Sequence, residues 1–303
     1  MCKQKTIAKE IEFSGVGLHT GHSSTILIEP ADENYGIKFQ RIDLDNQPII
    51  PASIDLVVET QRSTTIEKNG VKIVTVEHLL SALYALGVNN ALIKIDGPEI
   101  PILDGSAKYF VLKIEEVGLK DQKEDVEFIS FEKSYSFSDP DTGSEILYVP
   151  GDQFIASVVL DYNNAVLGTQ YAELRSLSDY SSQISSCKTF VLLTELEKLA
   201  KANLIKGGDL ENAIVLIDRK DIKKSELNDL AYLLGKDDIE IKINGNVLNN
   251  CELQFFNEPA RHKLLDVIGD LALIGKPIKG HIIAKKPGHK LNTSFAKVLK
   301  EAM

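Results

Sequence analysis

Asn257–Gly275 reads N-E-P-A-R-H-K-L-L-D-V-I-G-D-L-A-L-I-G. Asn257 is a good helix N-cap, Pro259 is tolerated in the first turn, and Gly275 is a natural stop. At about 100° per residue, with His262 at the origin, Asp266 falls near 40°, Asp270 near 80° and Lys263 near 100°. Leu264, Leu265, Ile268, Leu271 and Ala272 occupy the opposite side. The stretch is therefore a helix with an apolar stripe and a row of His, Lys, Asp and Asp. A His and a carboxylate at i, i+4 stack on one face and can share a metal ion. The competing reading is a solvated face carrying an i, i+4 ion pair, and the helix alone favours it.

The chain has 303 residues, 43% of them hydrophobic and 26% charged. That is ordinary for a globular protein of one large domain or two. A net charge of −10 argues against nucleic-acid binding through a basic surface. Three cysteines, none in a C-x-x-C pair, fit a reduced, cytoplasmic compartment and argue against a cysteine-based zinc site or a disulfide scaffold. No secretory h-region and no run of about 18 apolar residues is present, so neither export nor stable membrane insertion is expected.

Working along the chain, Ser14–His22 (S-G-V-G-L-H-T-G-H) precedes a strand-like rather than a helical segment. A dinucleotide-binding reading therefore fails, and a tight hairpin with close backbone approach is expected. His19 and His22 read as turn residues more readily than as ligands. Asn69-Gly70 marks a hairpin. Thr75–Gly87 is a helix with Thr75 as its cap, an apolar stripe of Val76, Leu79, Leu80, Leu83 and Leu86, and Glu77-His78 in its first turn. Glu77 there is equally a carboxylate favoured by the helix N-terminus. Residues 121–127, charged and aperiodic, read as a linker between units at 1–120 and 128–303. Both halves run strands first and helices last. The expected fold is α+β: two similar domains, each a sheet layered with helices.

The weak signals converge. His78, His262 and Asp266 supply two imidazoles and a carboxylate from two helices, the donor set of a catalytic Zn²⁺ with one position open to water. The same set suits Fe²⁺. Glu77, beside His78, is placed to take a proton from water acidified by such an ion. His289, in a glycine-containing loop, can protonate a leaving amine, and Asp270 can orient that imidazole. Lys263 and the Thr189 hydroxyl can stabilise an oxyanion.

A set of motifs carries a family resemblance. They are S-G-V-G-L-H-T-G at 14–21, T-V-E-H-L-L-S-A-L at 75–83, G-P-E-I-P-I-L-D-G-S-A at 97–107 and C-K-T-F at 187–190. G-G-D-L-E-N-A-I-V at 207–215, R-H-K-L-L-D-V-I-G-D-L at 261–271 and K-P-G-H-K-L-N at 286–292 complete it. In this order they resemble the UDP-3-O-acyl-N-acetylglucosamine deacetylases, zinc amidases that commit Gram-negative bacteria to lipid A synthesis.

The resemblance implies His78, His262 and Asp266 as zinc ligands and Glu77 as general base. It implies His289, rather than His281, as the acid partnered by Asp270. Thr189 and Lys263 match groups around the oxyanion, and Phe190 an aromatic substrate contact. The implied fold has the active site between the two domains, each carrying a small insert. The second insert, about 190–217, would form an apolar passage for the acyl chain, for which Leu192, Leu193, Leu196, Leu199, Ala202 and Leu204 have suitable composition, although plain core explains them equally.

The implied substrate is a UDP-sugar bearing an acyl chain. Its diphosphate needs a local basic patch, for which Lys285, Lys286, Lys290, Lys263 and Arg261 are at hand, with Lys286 foremost. Lys188 stands where many members carry arginine, and lysine cannot reproduce a bidentate fork. Some members continue into an acyl-carrier dehydratase domain, so a C-terminal fusion is compatible with this chain. Two other readings are an amidohydrolase acting on another N-acylated nucleotide sugar, and a non-catalytic sugar-nucleotide binding protein. The presence of base, acid and ligands disfavours the latter.

Overall fold

The computed structural model describes residues 2–164, 166–201, 206–209, 211–233, 242–248 and 253–303, the side chains of Lys224 and Leu233 excepted. Seven helices lie among them: α1 (Glu77–Ala85), α2 (Lys108–Val117), α3 (Tyr180–Gln183), α4 (Leu193–Lys201), α5 (Lys224–Leu233), α6 (Glu258–Ala272) and α7 (His289–Glu301). Among the described residues, no helix is long and apolar enough to cross a membrane.

Two five-stranded sheets repeat one topology. In the first, the strands run in the order Ile11–Val16, Ser23–Pro30, Ala91–Ile95, Ile37–Arg41, Ile49–Pro51. In the second the order is Tyr135–Asp139, Ser144–Val149, Gly280–Lys285, Phe154–Asp161, Thr169–Leu174. Each has one parallel pair, formed where the strand that follows a helix (Ala91–Ile95 after α1, Gly280–Lys285 after α6) inserts into the sheet. All other neighbours are antiparallel. A second helix follows each inserted strand, α2 in the first half and α7 in the second. The fold is thus mixed α+β, as expected.

In each half an insert lies between the strand that ends the sheet order and the helix that precedes the inserted strand, α1 in the first half and α6 in the second. In the first half it is a three-stranded sheet, Val57–Glu59, Thr65–Lys68 and Val71–Ile73. Its Asn69-Gly70 turn has positive φ at both residues, 53° and 81°, the geometry that makes this dipeptide a hairpin signal. In the second half, Phe190–Leu192 pairs in parallel with Ile214–Leu216 across α4. This insert has a small core of its own, built from Leu193, Leu196, Val215, Ile217, Leu227, Leu230 and Leu248. Leu193 and Leu196, expected along an apolar passage, belong to that core. Leu192 packs with Ile214, Leu216 and Val247. Ala202 and Leu204 lie outside the described residues.

Two local expectations need correction, and a third holds without the bond expected of it. Residues 121–127 are not an irregular linker throughout, because Leu119–Asp125 pairs antiparallel with Lys3–Ile7. Charge does not exclude a strand whose side chains face water on a sheet edge. Thr75 does not cap α1: its φ is +59°, its hydroxyl donates to Glu99 Oε1 at 2.8 Å, and Val76 is the capping residue. Asn257 does cap α6, but its side chain makes no capping bond. It accepts from Arg261 Nε and donates to the Tyr171 carbonyl instead.

α1 and α6 cross in contact at the centre of the molecule. Leu79, Leu80 and Leu83 of α1 and Leu264, Leu265, Ile268 and Leu271 of α6 are buried in one continuous core. The crossing is closest at Gly269, where a Cβ would lie 2.1 Å from the Glu77 carbonyl oxygen. Only glycine lets the two backbones meet this closely. The polar face of α6 is therefore not solvated: His262, Asp266 and Asp270 are each at most 1% exposed. Gly269→Ala should force the helices apart, destabilise the protein by about 1–3 kcal/mol and disperse the side chains of the first turn of α1. A thermal melt and a metal-binding titration on the same sample check this, and an unchanged pair would refute it.

Candidate active site

The crossing delivers the first turn of α1 onto the polar row of α6. His78 Nε2 and His262 Nε2 lie 3.9 Å and 3.4 Å from Asp266 Oδ1. The two imidazoles meet edge to face with centroids 5.1 Å apart. One ligand atom from each of the three residues falls within 4.8 Å of the others, making a group able to hold a metal ion.

The chemistry of these donors fits a divalent cation. Asp266 Oδ1 is buried without a hydrogen-bond partner, which is costly unless something positive faces it. Burial, followed by the neighbouring His262 charge, lowers the His78 pKa to about 3. Burial also lowers that of His262. Both shifts favour the neutral ring, the form that ligates. His262 Nδ1 donates to the Cys187 carbonyl at 3.0 Å, which leaves the lone pair on Nε2 facing Asp266. Burial opposes the charge on Asp266, but Lys263, His262, His289 and His78 outweigh it and hold the carboxyl well below the usual range. Lys263 Nζ donates to Asp266 Oδ2 at 2.8 Å. Burial acts against this ammonium, yet Asp266 raises its pKa above the ordinary lysine value.

Beside this cluster sit a carboxylate and an imidazole whose pKa values are both raised, the first toward its neutral form and the second toward its charged form. Burial pushes Glu77 up to about 8, with His289 opposing and Asp270 and Asp266 reinforcing the shift. Burial disfavours the charged His289 ring, but Asp270 and Glu77 overcome it and raise the pKa to about 9. His289 Nδ1 donates to Asp270 Oδ2 at 2.9 Å. Its Nε2 lies 3.8 Å from Glu77 Oε1 and 4.0 Å from Asp266 Oδ2. His289 is not in a loop: it opens α7, with Gly288 as the preceding cap. His281 lies on the second sheet, hydrogen-bonded to Ser157 Oγ at 2.8 Å.

Phe190 packs edge to face on His262, with centroids 6.3 Å apart, and against Tyr162 at 6.1 Å. Lys263 Nζ lies 5.4 Å from its ring centre. Thr189 is held by backbone bonds to Gly105 and Ile214. Of the expected basic patch, Arg261 bonds Asn257 and the Gln183 carbonyl and stacks on Phe255. Lys285 and Lys290 pair with Glu145 and Asp139. Lys286 has a φ of +50° and sits 3.9 Å from Asp161. Lys188 donates from its backbone to Glu258 and from Nζ to the Glu211 carbonyl.

Several residues were not singled out from the sequence. Thr64, fully buried, donates its backbone N–H to Glu77 Oε2 at 3.0 Å and its hydroxyl to Asp270 Oδ1 at 2.5 Å. Asn292 donates to Asp270 Oδ2 at 2.8 Å. Its position one turn after His289 was the available signal. Glu99 accepts from the backbones of His19 and Thr20 and from the Thr20 hydroxyl. The close approach expected of the glycine hairpin is to this carboxylate, since a Cβ on Gly17 would meet Glu99 Oε2 at 2.3 Å. His19 and His22 are not part of the metal-competent group.

Comparison with known proteins agrees with this architecture. The chain matches the family model described as UDP-3-O-acyl N-acetylglycosamine deacetylase over residues 4–230 and 235–301. It is 46% identical over 301 residues to the bifunctional enzyme LpxC/FabZ of Bacteroides thetaiotaomicron, covering 99% of this chain and 65% of the relative. The UDP-3-O-acyl-N-acetylglucosamine deacetylase of Myxococcus xanthus is 37% identical over 290 residues, 95% of this chain and 83% of the relative. That of Chlamydia pneumoniae is 36% identical over 303 residues, 99% and 98%. The chain spans 65%, 65% and 64% of the length of three bifunctional relatives. With the family model matched along nearly its whole length, the chain belongs to the UDP-3-O-acyl N-acetylglycosamine deacetylase family.

Proposed function

We propose that this chain hydrolyses the acetamide of a UDP-3-O-acyl-N-acetylglucosamine to acetate and the free amine, the committed step of lipid A synthesis. The observation that carries this reading is the approach of Glu77 Oε1 to within 3.8 Å of His289 Nε2 beside the His78–His262–Asp266 group. A carboxylate and an imidazole placed together beside such a group can serve as base and acid. Support for the substrate comes from the Myxococcus xanthus and Chlamydia pneumoniae relatives, which bear the name of that deacetylase.

A divalent cation held by His78, His262 and Asp266, Zn²⁺ in this reading, supplies Lewis acidity and acidifies water. Glu77 takes the proton of the attacking water. Thr189 and Lys263 face the negative charge that develops on the acetyl oxygen. His289, held in orientation by Asp270, delivers a proton to the leaving nitrogen. Phe190 forms a wall of the sugar site and Lys286 meets the diphosphate. The second insert, about 190–217, houses the acyl chain, and its partly buried Phe190 and Leu192 beside Ile214, Leu216 and Val247 offer apolar surface for it. The active site lies between units at 1–120 and 128–303, joined at 121–127. Among the described residues Cys2 and Cys187 are free thiols, which favours a cytoplasmic setting.

His262→Ala should lose both bound metal and acetate release. Glu77→Gln should keep the metal while kcat falls by about 10²–10⁴-fold. Metal analysis and an acetate assay on the two variants decide this, and near-normal turnover by Glu77→Gln would remove Glu77 from the role of base.

The pH dependence has a determined sign. Glu77 acts deprotonated, so activity rises as pH climbs through its pKa. His289 acts protonated, so activity falls as pH climbs through its own, and kcat/KM should trace a bell. Positive charge at the donor group moves both limbs to lower pH. Asp270 raises the His289 pKa, so Asp270→Asn should move the basic limb down. A profile whose basic limb is unmoved in that variant would separate it from His289.

A substrate lacking the 3-O-acyl chain should lose kcat/KM by about 10-fold or more, because several buried methylenes at about 0.8 kcal/mol each no longer contribute. Equal kcat/KM for the two substrates would instead favour an amidohydrolase of another N-acylated nucleotide sugar.

A further inference from the structure

We infer that Thr64 is a positioning residue that sets, from one point in the first insert, which oxygen of Glu77 and which oxygen of Asp270 face the reacting groups. The inference rests on the reading of Glu77 as base and His289 as acid.

Thr64 sits immediately before the strand Thr65–Lys68 and is fully buried. All three of its polar groups are engaged. Its N–H donates to Glu77 Oε2 at 3.0 Å. Its carbonyl accepts from the Val76 N–H at 3.3 Å. Its hydroxyl donates to Asp270 Oδ1 at 2.5 Å. The first two bonds clamp it to the start of α1, and the third reaches α6 across 206 residues of sequence.

These bonds select atoms. With Glu77 Oε2 taken by the Thr64 amide, Oε1 is the oxygen turned toward His289 Nε2. With Asp270 Oδ1 taken by the Thr64 hydroxyl, Oδ2 is the oxygen that receives His289 Nδ1 at 2.9 Å and Asn292 Nδ2 at 2.8 Å. The plane of the Asp270 carboxylate is thus fixed at both ends, and it fixes the His289 ring in turn. Partners behind a reacting group hold its geometry, and their loss typically costs about 10–100-fold in activity.

The plainer alternative is a buried threonine that is merely satisfied and adds only to stability. Thr64→Val separates the two. Valine matches threonine in shape, keeps both backbone bonds and deletes only the hydroxyl, leaving Asp270 Oδ1 buried without a donor.

The test uses the full chain as wild type, Thr64→Val and Thr64→Ser. One readout needs no substrate: the low-field proton NMR resonance of His289 Nδ1–H, assigned by its loss in Asp270→Asn. The other is acetate release from UDP-3-O-acyl-N-acetylglucosamine, resolved into kcat and KM. Positioning requires that Thr64→Val shift or lose the resonance and lower kcat by about 10–100-fold with KM changed less than about threefold. Thr64→Ser, which retains a hydroxyl, should restore both. An unchanged resonance in Thr64→Val, or a serine variant as impaired as the valine one, overturns the proposal. If Thr64→Val does not fold, Thr64→Ala enters the same comparison. If wild type releases no acetate, the functional reading fails, while the resonance comparison still decides the role of Thr64.

Discussion

The structure depends on the contact between the α6 backbone at Gly269 and the α1 backbone at Glu77, so tight that a single Cβ would stand 2.1 Å from the Glu77 carbonyl oxygen. The apolar faces of both helices anchor that contact in the core. Everything polar in the site follows from it. The first turn of α1 supplies Glu77 and His78 and the facing row of α6 supplies His262, Asp266 and Asp270, with α7 adding His289. Burying so many ionisable groups is unfavourable unless each is matched. Lys263 matches Asp266 on one oxygen, and Thr64, His289 and Asn292 match Asp270. Left without a partner in the metal-competent group are Asp266 Oδ1, which faces the imidazoles, and His78 Nδ1. Unmatched polarity of this kind belongs to functional sites, where stability is sacrificed for reactivity.

The two halves use one topology, and their inserts occupy equivalent places in it. The first insert carries Thr64 and the second carries Phe190, with Thr189 immediately before it, so each repeated frame contributes a helix to the crossing and an insert to its rim. The glycine hairpin at 17–21 ties the halves further: the Gly207 N–H donates to the Leu18 carbonyl at 3.2 Å, while Glu99 holds the hairpin from its other side.

Much of this was legible in the sequence, for a physical reason. The periodicity of Thr75–Gly87 and Asn257–Gly275 reports burial directly, and the i, i+4 spacing of His262 and Asp266 is a property of one helix. Asn69-Gly70 carries its own turn geometry. What stayed hidden depends on contacts far apart in the chain. Thr64 is an ordinary residue in the run Ser63-Thr64-Thr65 until the fold brings Asp270 to it. Thr75 looks like a cap until Glu99 claims its hydroxyl. The charged segment 121–127 reads as a linker because a sequence does not reveal that Lys3–Ile7 pairs with Leu119–Asp125. The basic residues near the C-terminus read as a patch, but most of them meet acidic or carbonyl partners at home.

The most direct measurement is a crystal structure with X-ray data collected at the zinc absorption edge. One strong anomalous peak per chain is expected, within coordination distance of His78 Nε2, His262 Nε2 and Asp266 Oδ1. A peak elsewhere, or none in zinc-loaded protein, would contradict this ligand set.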